Sequence, residues 1–300
     1  MLIKKNYFLL VPLATVLILT SCGGDKAENL DETGNADSSK TTVMDVPPSS
    51  ETFFQVPSPG EMLTFIKMVG GKNNKNVSFL SNPSNISSYA DIKSKALNFG
   101  IYSCDLSYCS IFEIGAEALK YFKAVKQLGD QIGVSTAIQP EMMKRLESNL
   151  GNPDSLSVIS DDIYFSSFET LESSKQGTTL ALVVAGGWIE SLFIATNLAK
   201  YEPNSPIVER LADQKYTLEN LNSYLAKYET DSNVSSVITQ FKELAAEFNK
   251  ISEKKESATS KSKGNKIVLG GGNTLVLSKE QYQEIVNKIA SVRNSFTQIK

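Results

Sequence analysis

GTTLALVVAGGWIESLFIATNLAK, running from Gly177 to Lys200, is the stretch whose reading decides the fold. Between Leu180 and Ala199 only Glu190, Ser191, Thr196 and Asn197 are polar. A helix that is apolar on nearly every side is stable only when other elements or lipid enclose it. Ala181, Ala185, Gly186 and Gly187 allow neighbouring backbones to come close. The only Trp of the chain, Trp188, and one carboxylate, Glu190, sit midway along it. This segment is the expected central helix of an all-α, multi-helix bundle.

Three hundred residues, 41% hydrophobic and 21% charged, supply ample chain for a globular core. The formal charge is −3, and removal of residues 1–21, which carry Lys4, Lys5 and no acid, takes it to −5. With only three Arg (Arg145, Arg210 and Arg293), that balance argues against nucleic acid as a partner. The chain contains no His. Ser-His-Asp and Cys-His catalysis are therefore excluded, as are His-ligated zinc and haem. Carboxylate, Lys, Tyr or Ser chemistry remains, or an oxygen-ligand metal site.

The N-terminus reads as an export signal. Lys4 and Lys5 precede an apolar run from Tyr7 to Leu19, too short for a spanning helix. Leu19-Thr20-Ser21-Cys22 then resembles the bacterial lipobox, in which the Cys receives diacylglycerol and becomes the new N-terminus. Signal peptide 1–21 and a lipid on Cys22 are the expectation. Gly23-Gly24 replace the Asp that marks inner-membrane retention, which favours the outer membrane. Residues 22–52, rich in Asp, Glu, Ser, Thr, Asn and Pro, cannot bury enough surface to order themselves and read as an acidic tether.

A helical domain is expected over 53–300. Ser58-Pro59-Gly60-Glu61 is a helix start with a Ser cap, Pro at N1 and Glu at N3. Gly70-Gly71 stop that helix near Val69. A second helix is expected from about Ser87 to Phe112, and a third from Ala116 to Ile132, capped by Gly133. A short helix over 139–150 and another from Asn152-Pro153 to Ser174 lead to the central one. Thr217 is read as the cap of the next. Val234, Val237, Phe241, Leu244, Phe248 and Ile251 alternate steps of three and four, as do Tyr282, Ile285, Ile289, Val292, Phe296 and Ile299. These two seams are expected to pair antiparallel. Between them, 252–266 reads as a mobile Lys/Ser-rich loop. A small β-hairpin is expected over 266–277, turning at Gly270-Gly271-Gly272. Ser278 with Gln281 caps a last helix over 279–299.

A weak internal repeat sets Ala96-Leu97, Gly100, Asp105 and Tyr108 over Ala181-Leu182, Ala185, Glu190 and Phe193. It suggests two pseudo-repeated helical halves packed face to face. The runs KALNFGIY (Lys95–Tyr102) to Asp105-Leu106 and GGWIESL (Gly186–Leu192) resemble those of a set of uncharacterised, mostly helical bacterial outer-membrane lipoproteins, over roughly residues 53–250. That resemblance implies a lipid-anchored helical envelope protein and transfers no functional residue. The outline is also similar to imelysin-like proteins, whose Gly-x-His-x-x-Glu motif a chain without His does not have.

Asp105 and Glu190 are the residues that invite a function. A carboxylate on an otherwise apolar helix is costly unless it is paired, protonated or bound to a ligand. One reading is a ligand site between two central helices, walled by Tyr102, Tyr108 and Trp188. The other is that each carboxylate accepts structural hydrogen bonds that tie helices together. Metal binding by the pair alone is disfavoured, since calcium takes about six or more oxygens and no ligand loop is visible. No catalytic set and no cofactor motif is read. Cys104 and Cys109 on one helix lie too far apart to bridge and read as small packing thiols. Gly270-Gly271-Gly272 lacks the Lys-Ser/Thr of a phosphate loop. Asp161-Asp162 reads as a solvated face.

The functional expectation is an exported, lipid-anchored binding or scaffold protein with an unknown protein or small-molecule partner. The alternatives are a carboxylate-based enzyme or metal site using Asp105 and Glu190, and a structural subunit of an envelope assembly.

Overall fold

The computed structural model describes residues 58–70, 74–263 and 266–298, with side chains for all of these but 256–273. The signal segment, the tether with Cys22, and Ile299 lie outside the described residues. Among the described residues there are nine α-helices, one 3-10 turn and one two-stranded sheet, an all-α bundle with a small hairpin near the C-terminus.

The helices are α1 (Pro59–Val69), α2 (Ile92–Ile111), α3 (Gly115–Ile132), α4 (Pro140–Ser148), α5 (Pro153–Ser173), α6 (Gly177–Leu198), α7 (Pro206–Ala226), α8 (Ser232–Phe248) and α9 (Lys279–Thr297). The 3-10 turn spans Pro83–Ser88. Strands β1 (Ser252–Lys263) and β2 (Lys266–Val276) pair antiparallel.

Helices α2 and α6 form the centre. Both are apolar and rich in small residues, and α6 is long and apolar enough to cross a membrane by composition alone. Here protein encloses it, with 89% of its apolar window buried. The two helices run side by side in the same sense, with Gly186 against Leu97, Gly100 against Val183 and Gly187, and Asp105 against Glu190. Glycine makes this possible. A Cβ built on Gly100 would stand 2.1 Å from the Val183 carbonyl oxygen, and one on Gly186 would stand 2.0 Å from that of Leu97.

The remaining helices wrap this pair. Helices α3 and α5 pack on α2, while α1 lies against both central helices, with Pro59 on Gly187. Helix α9 covers the other side, backed by α8, which is backed in turn by α7. Asp105 faces Glu190 within the central pair, and the flanking helices differ: α3 packs extensively along α2, whereas α7 touches α6 only lightly.

Local chemistry explains the element ends. Ser58 Oγ accepts from Glu61 N, and Gly133 takes φ 89 to close α3. Ser278 and Gln281 form a complete capping box on α9. The antiparallel α8–α9 seam forms as expected, with Phe241 and Phe296 ring centroids 6.1 Å apart and Lys288 paired with Glu243.

Three expectations are corrected. Helix α2 starts at Ile92 and not near Ser87, because Asp91 caps it by accepting from Ser94 N at 2.7 Å and Pro83–Ser88 is a separate 3-10 turn. Helix α7 starts at Pro206, where Ser205 accepts from Val208 N, so Thr217 lies in its interior. Residues 252–263 are not a loop: they form β1, paired from Ser252↔Val276 to Lys263↔Lys266 with an irregularity between Glu256 and Thr259. The glycines consequently lie within β2 and not at a turn. Cys104 and Cys109 are buried free thiols on the unbroken α2.

Alanine at Gly100 or Gly186 is expected to cost about 3 kcal/mol or more, because each new methyl meets backbone that cannot swing aside. Alanine at Gly151, where nothing lies within 4 Å of the built Cβ, should stay within about 0.5 kcal/mol. Chemical denaturation of the three variants checks the contrast.

Candidate functional site

One turn beyond the glycine contact, α2 and α6 bring Asp105 and Glu190 together in the interior, each with 0% exposure. Arg293 of α9 reaches them. Its Nε donates to Glu190 Oε2 at 2.8 Å and its Nη2 to Glu190 Oε1 at 3.0 Å, a bidentate fork. The same Nη2 donates to Ser81 Oγ at 2.7 Å, and the guanidinium lies 4.5 Å from the Phe193 ring centre. Ser81 N in turn donates to Asp105 Oδ2 at 3.2 Å.

Tyrosines fix the loop that carries Ser81. Tyr121 Oη donates to Ser81 O at 2.9 Å and Tyr102 Oη to Asn82 O at 2.6 Å. Tyr89 Oη lies 3.4 Å from Tyr102 Oη. The centre thus joins four separate parts of the chain: the 80–82 loop, α2, α6 and α9.

The charges resolve in one way. Burial is the largest influence on Asp105 and raises its carboxyl well above the usual range. The adjacent Glu190 raises it further, against the opposing pull of Arg293 and Ser81 N–H. Burial alone would lower the Arg293 guanidinium, but Glu190 outweighs it and leaves Arg293 raised. Asp105 Oδ1 is buried without a hydrogen-bond partner, while its Oδ2 accepts from Ser81 N–H. Arg293 and Glu190 form the ion pair, and burial beside Glu190 favours the protonated form of Asp105. Two acids, one base and one retained proton sum to zero, the condition under which such a group tolerates burial.

Of the five residues expected to form a ligand site, Asp105, Glu190 and Tyr102 come together. Tyr108 and Trp188 do not wall this centre. Trp188 precedes Glu190 by two positions, about 200° around the helix; its Nε1 donates to Gln214 Oε1 at 3.1 Å and its ring meets Phe241 edge-on. Tyr108 lies one turn past Asp105, and its Oη donates toward Asn76 O at 3.0 Å. Asp161 is half-buried. It packs on Gly60 at the start of α1, and burial, then Asp162 and Glu61, push it up to about 6. Asp162 pairs with Arg145.

Arg293, Ser81, Tyr89, Tyr121 and Phe193 escaped the sequence reading. Arg293 did leave a signal: it stands four residues after Ile289 and three before Phe296, on the buried stripe of α9. A lone Arg on such a stripe requires an internal acid. Ser81 leaves none, being a loop residue whose role comes from tertiary placement.

No protein-family model, curated protein or solved structure matches this chain. The site therefore rests on its own geometry. Both carboxylates have 0% exposure, Glu190 held by the Arg293 fork and Asp105 by the Ser81 N–H. The site works as a lock between helices.

Arg293→Met is expected to lose about 3–5 kcal/mol, since it strands an uncompensated buried acid. Asp105→Asn should behave differently, because an amide can accept from Ser81 N–H and donate to Glu190. Asp105 has a folded pKa above its unfolded value near 3.9, so folding takes up a proton and stability drains away as pH rises. The Asn variant escapes this. Its stability relative to wild type should increase by about 1.4 kcal/mol per pH unit above about pH 4, until Asp105 itself ionises in the folded state. Urea denaturation of both proteins between pH 4 and pH 8 reads out the slope.

Proposed function

We propose that this chain is an exported lipoprotein of the cell envelope, held to the outer membrane by lipid on Cys22, and that it acts as a binding or scaffold protein. The observation that carries the non-catalytic part is the sealing of Asp105 and Glu190. A general acid or base must reach a substrate proton, and these two groups have 0% exposure, with Glu190 already bound by Arg293. The lipobox Leu19-Thr20-Ser21-Cys22, behind a basic start and a short apolar run, supports the anchor. The polar, acidic stretch after it suits a tether that holds the bundle away from the bilayer.

The partner is a protein or a small molecule and not a nucleic acid, in keeping with the net negative charge and scarcity of Arg. The central helix is satisfied by protein on its apolar sides, so the acyl group is the membrane contact this reading requires.

Cys22→Ala should shift the protein from the membrane pellet to the soluble envelope fraction and abolish incorporation of labelled palmitate. A variant that still sediments with membranes in high salt would overturn the anchor.

A further inference from the structure

A second feature lies nearer the N-terminal end of α2, about three turns before Asp105. A cleft of about 250 Å³ opens between the first turn of α2, the first half of α8 and the last turn of α9. Its rear is apolar, formed by Leu97, Phe296 and Tyr89, all buried. Its walls carry neutral hydrogen-bonding groups: the hydroxyls of Ser94, Ser236 and Ser295, and the amides of Gln240 and Gln298. Two charged residues also line it, Asp91 and Lys93, of opposite sign.

Both charges are already engaged. Asp91 caps α2 through Ser94 N, and Lys93 Nζ donates to Ser236 Oγ. They cancel formally, so the cleft has no excess charge with which to hold an ion. Among the neutral groups, Ser94 Oγ donates to Asp91 O at 2.9 Å, and the single Ser295 hydroxyl proton is shared between Gln240 Oε1 at 2.6 Å and Val292 O at 2.7 Å. The Gln240 amide nitrogen has donors to spare, since its two hydrogens reach only Ser236 O at a long 3.4 Å.

The walls are held in place. Asn98, fully buried just behind the cleft, donates from Nδ2 to Ser94 O and to Phe296 O, both at 2.8 Å, and so staples α2 to the end of α9. A ligand would meet a surface already arranged, which reduces the ordering cost of binding.

We infer that this cleft binds a neutral carbohydrate, one sugar ring at a time. Its volume falls just below the usual ligand-pocket range of about 300–1,000 Å³, enough for a single ring and not for an extended cofactor. Sugar rings join an apolar C–H face to an edge of hydroxyls that both donate and accept. The cleft presents the complement, an apolar rear and a rim of hydroxyls and amides. This inference deepens the reading of the protein as a binding lipoprotein and names the ligand class that reading leaves open.

The test uses the full acylated protein, purified in the sugar-free detergent lauryldimethylamine oxide. Saturation-transfer NMR is run with N-acetylglucosamine, glucose and maltotriose as probes and with glycine as a zwitterionic comparison. Transfer to the ring C–H protons of at least one sugar is expected, and none to glycine. Gln240→Ala should weaken binding at least about tenfold, and Ser236→Trp, which fills the cleft, should abolish it, with melting temperatures unchanged. No transfer to any of the three sugars overturns the inference, as does transfer to glycine alone or sugar transfer that survives both variants. Membrane fractionation is independent of this outcome. If the sugars fail while Cys22 still anchors the protein, only the ligand class falls; if the anchor fails while sugar transfer persists, only the location does.

Discussion

The close approach of α2 and α6 is the constraint on which everything else rests. Two helices usually pack with their axes about 8–10 Å apart, at a distance set by the side chains between them. Here Gly100 and Gly186 remove those side chains and bring backbone against backbone. That proximity is what places Asp105 and Glu190 within reach of one another a turn later. With bulkier residues at the crossing, the two acids would stand apart, and each would need its own buried partner. The apolar faces left on the outside of the pair then dictate the rest of the bundle, since α1, α3, α5 and α9 must cover them.

A charged centre inside such a core adds specificity more than stability. A well-packed apolar replacement is often as stable as a buried ion pair. The Arg293 fork accepts only one placement of α9, because two hydrogen bonds to Glu190 and one to Ser81 fix both the rotation and the axial position of that helix. The α8–α9 seam, built from repeating apolar residues, would tolerate a slip of one turn; the guanidinium would not.

How much of this could be read from the chain depends on where the information resides. Helix α1 and helix α9 announced themselves through local caps, Ser58-Pro59 and Ser278 with Gln281, because capping is a short-range interaction. The central helix was legible from its composition. Strand β1 was not, since its Lys/Ser alternation carries no apolar face and the partner β2 alone makes it a strand. The start of α2 was misplaced because both Ser87 and Asp91 are competent caps and the intervening turn decides between them. Thr217 misled for a similar reason: a capping residue inside a helix looks the same as one at its end. For the site, the two carboxylates stood out as polar residues on apolar helices. Arg293 was concealed by a seam assigned from its apolar members alone, and Ser81 by its position in a loop.

The guanidinium that completes the centre comes from α9, 103 residues after Glu190 and 212 after Ser81. Closing loops of that length carries an entropic cost that the contacts must offset. Until α9 arrives, the interior contains two acids and no counter-ion, an arrangement that resists desiccation. Removing α9 therefore takes away the cation that lets Glu190 remain charged away from water.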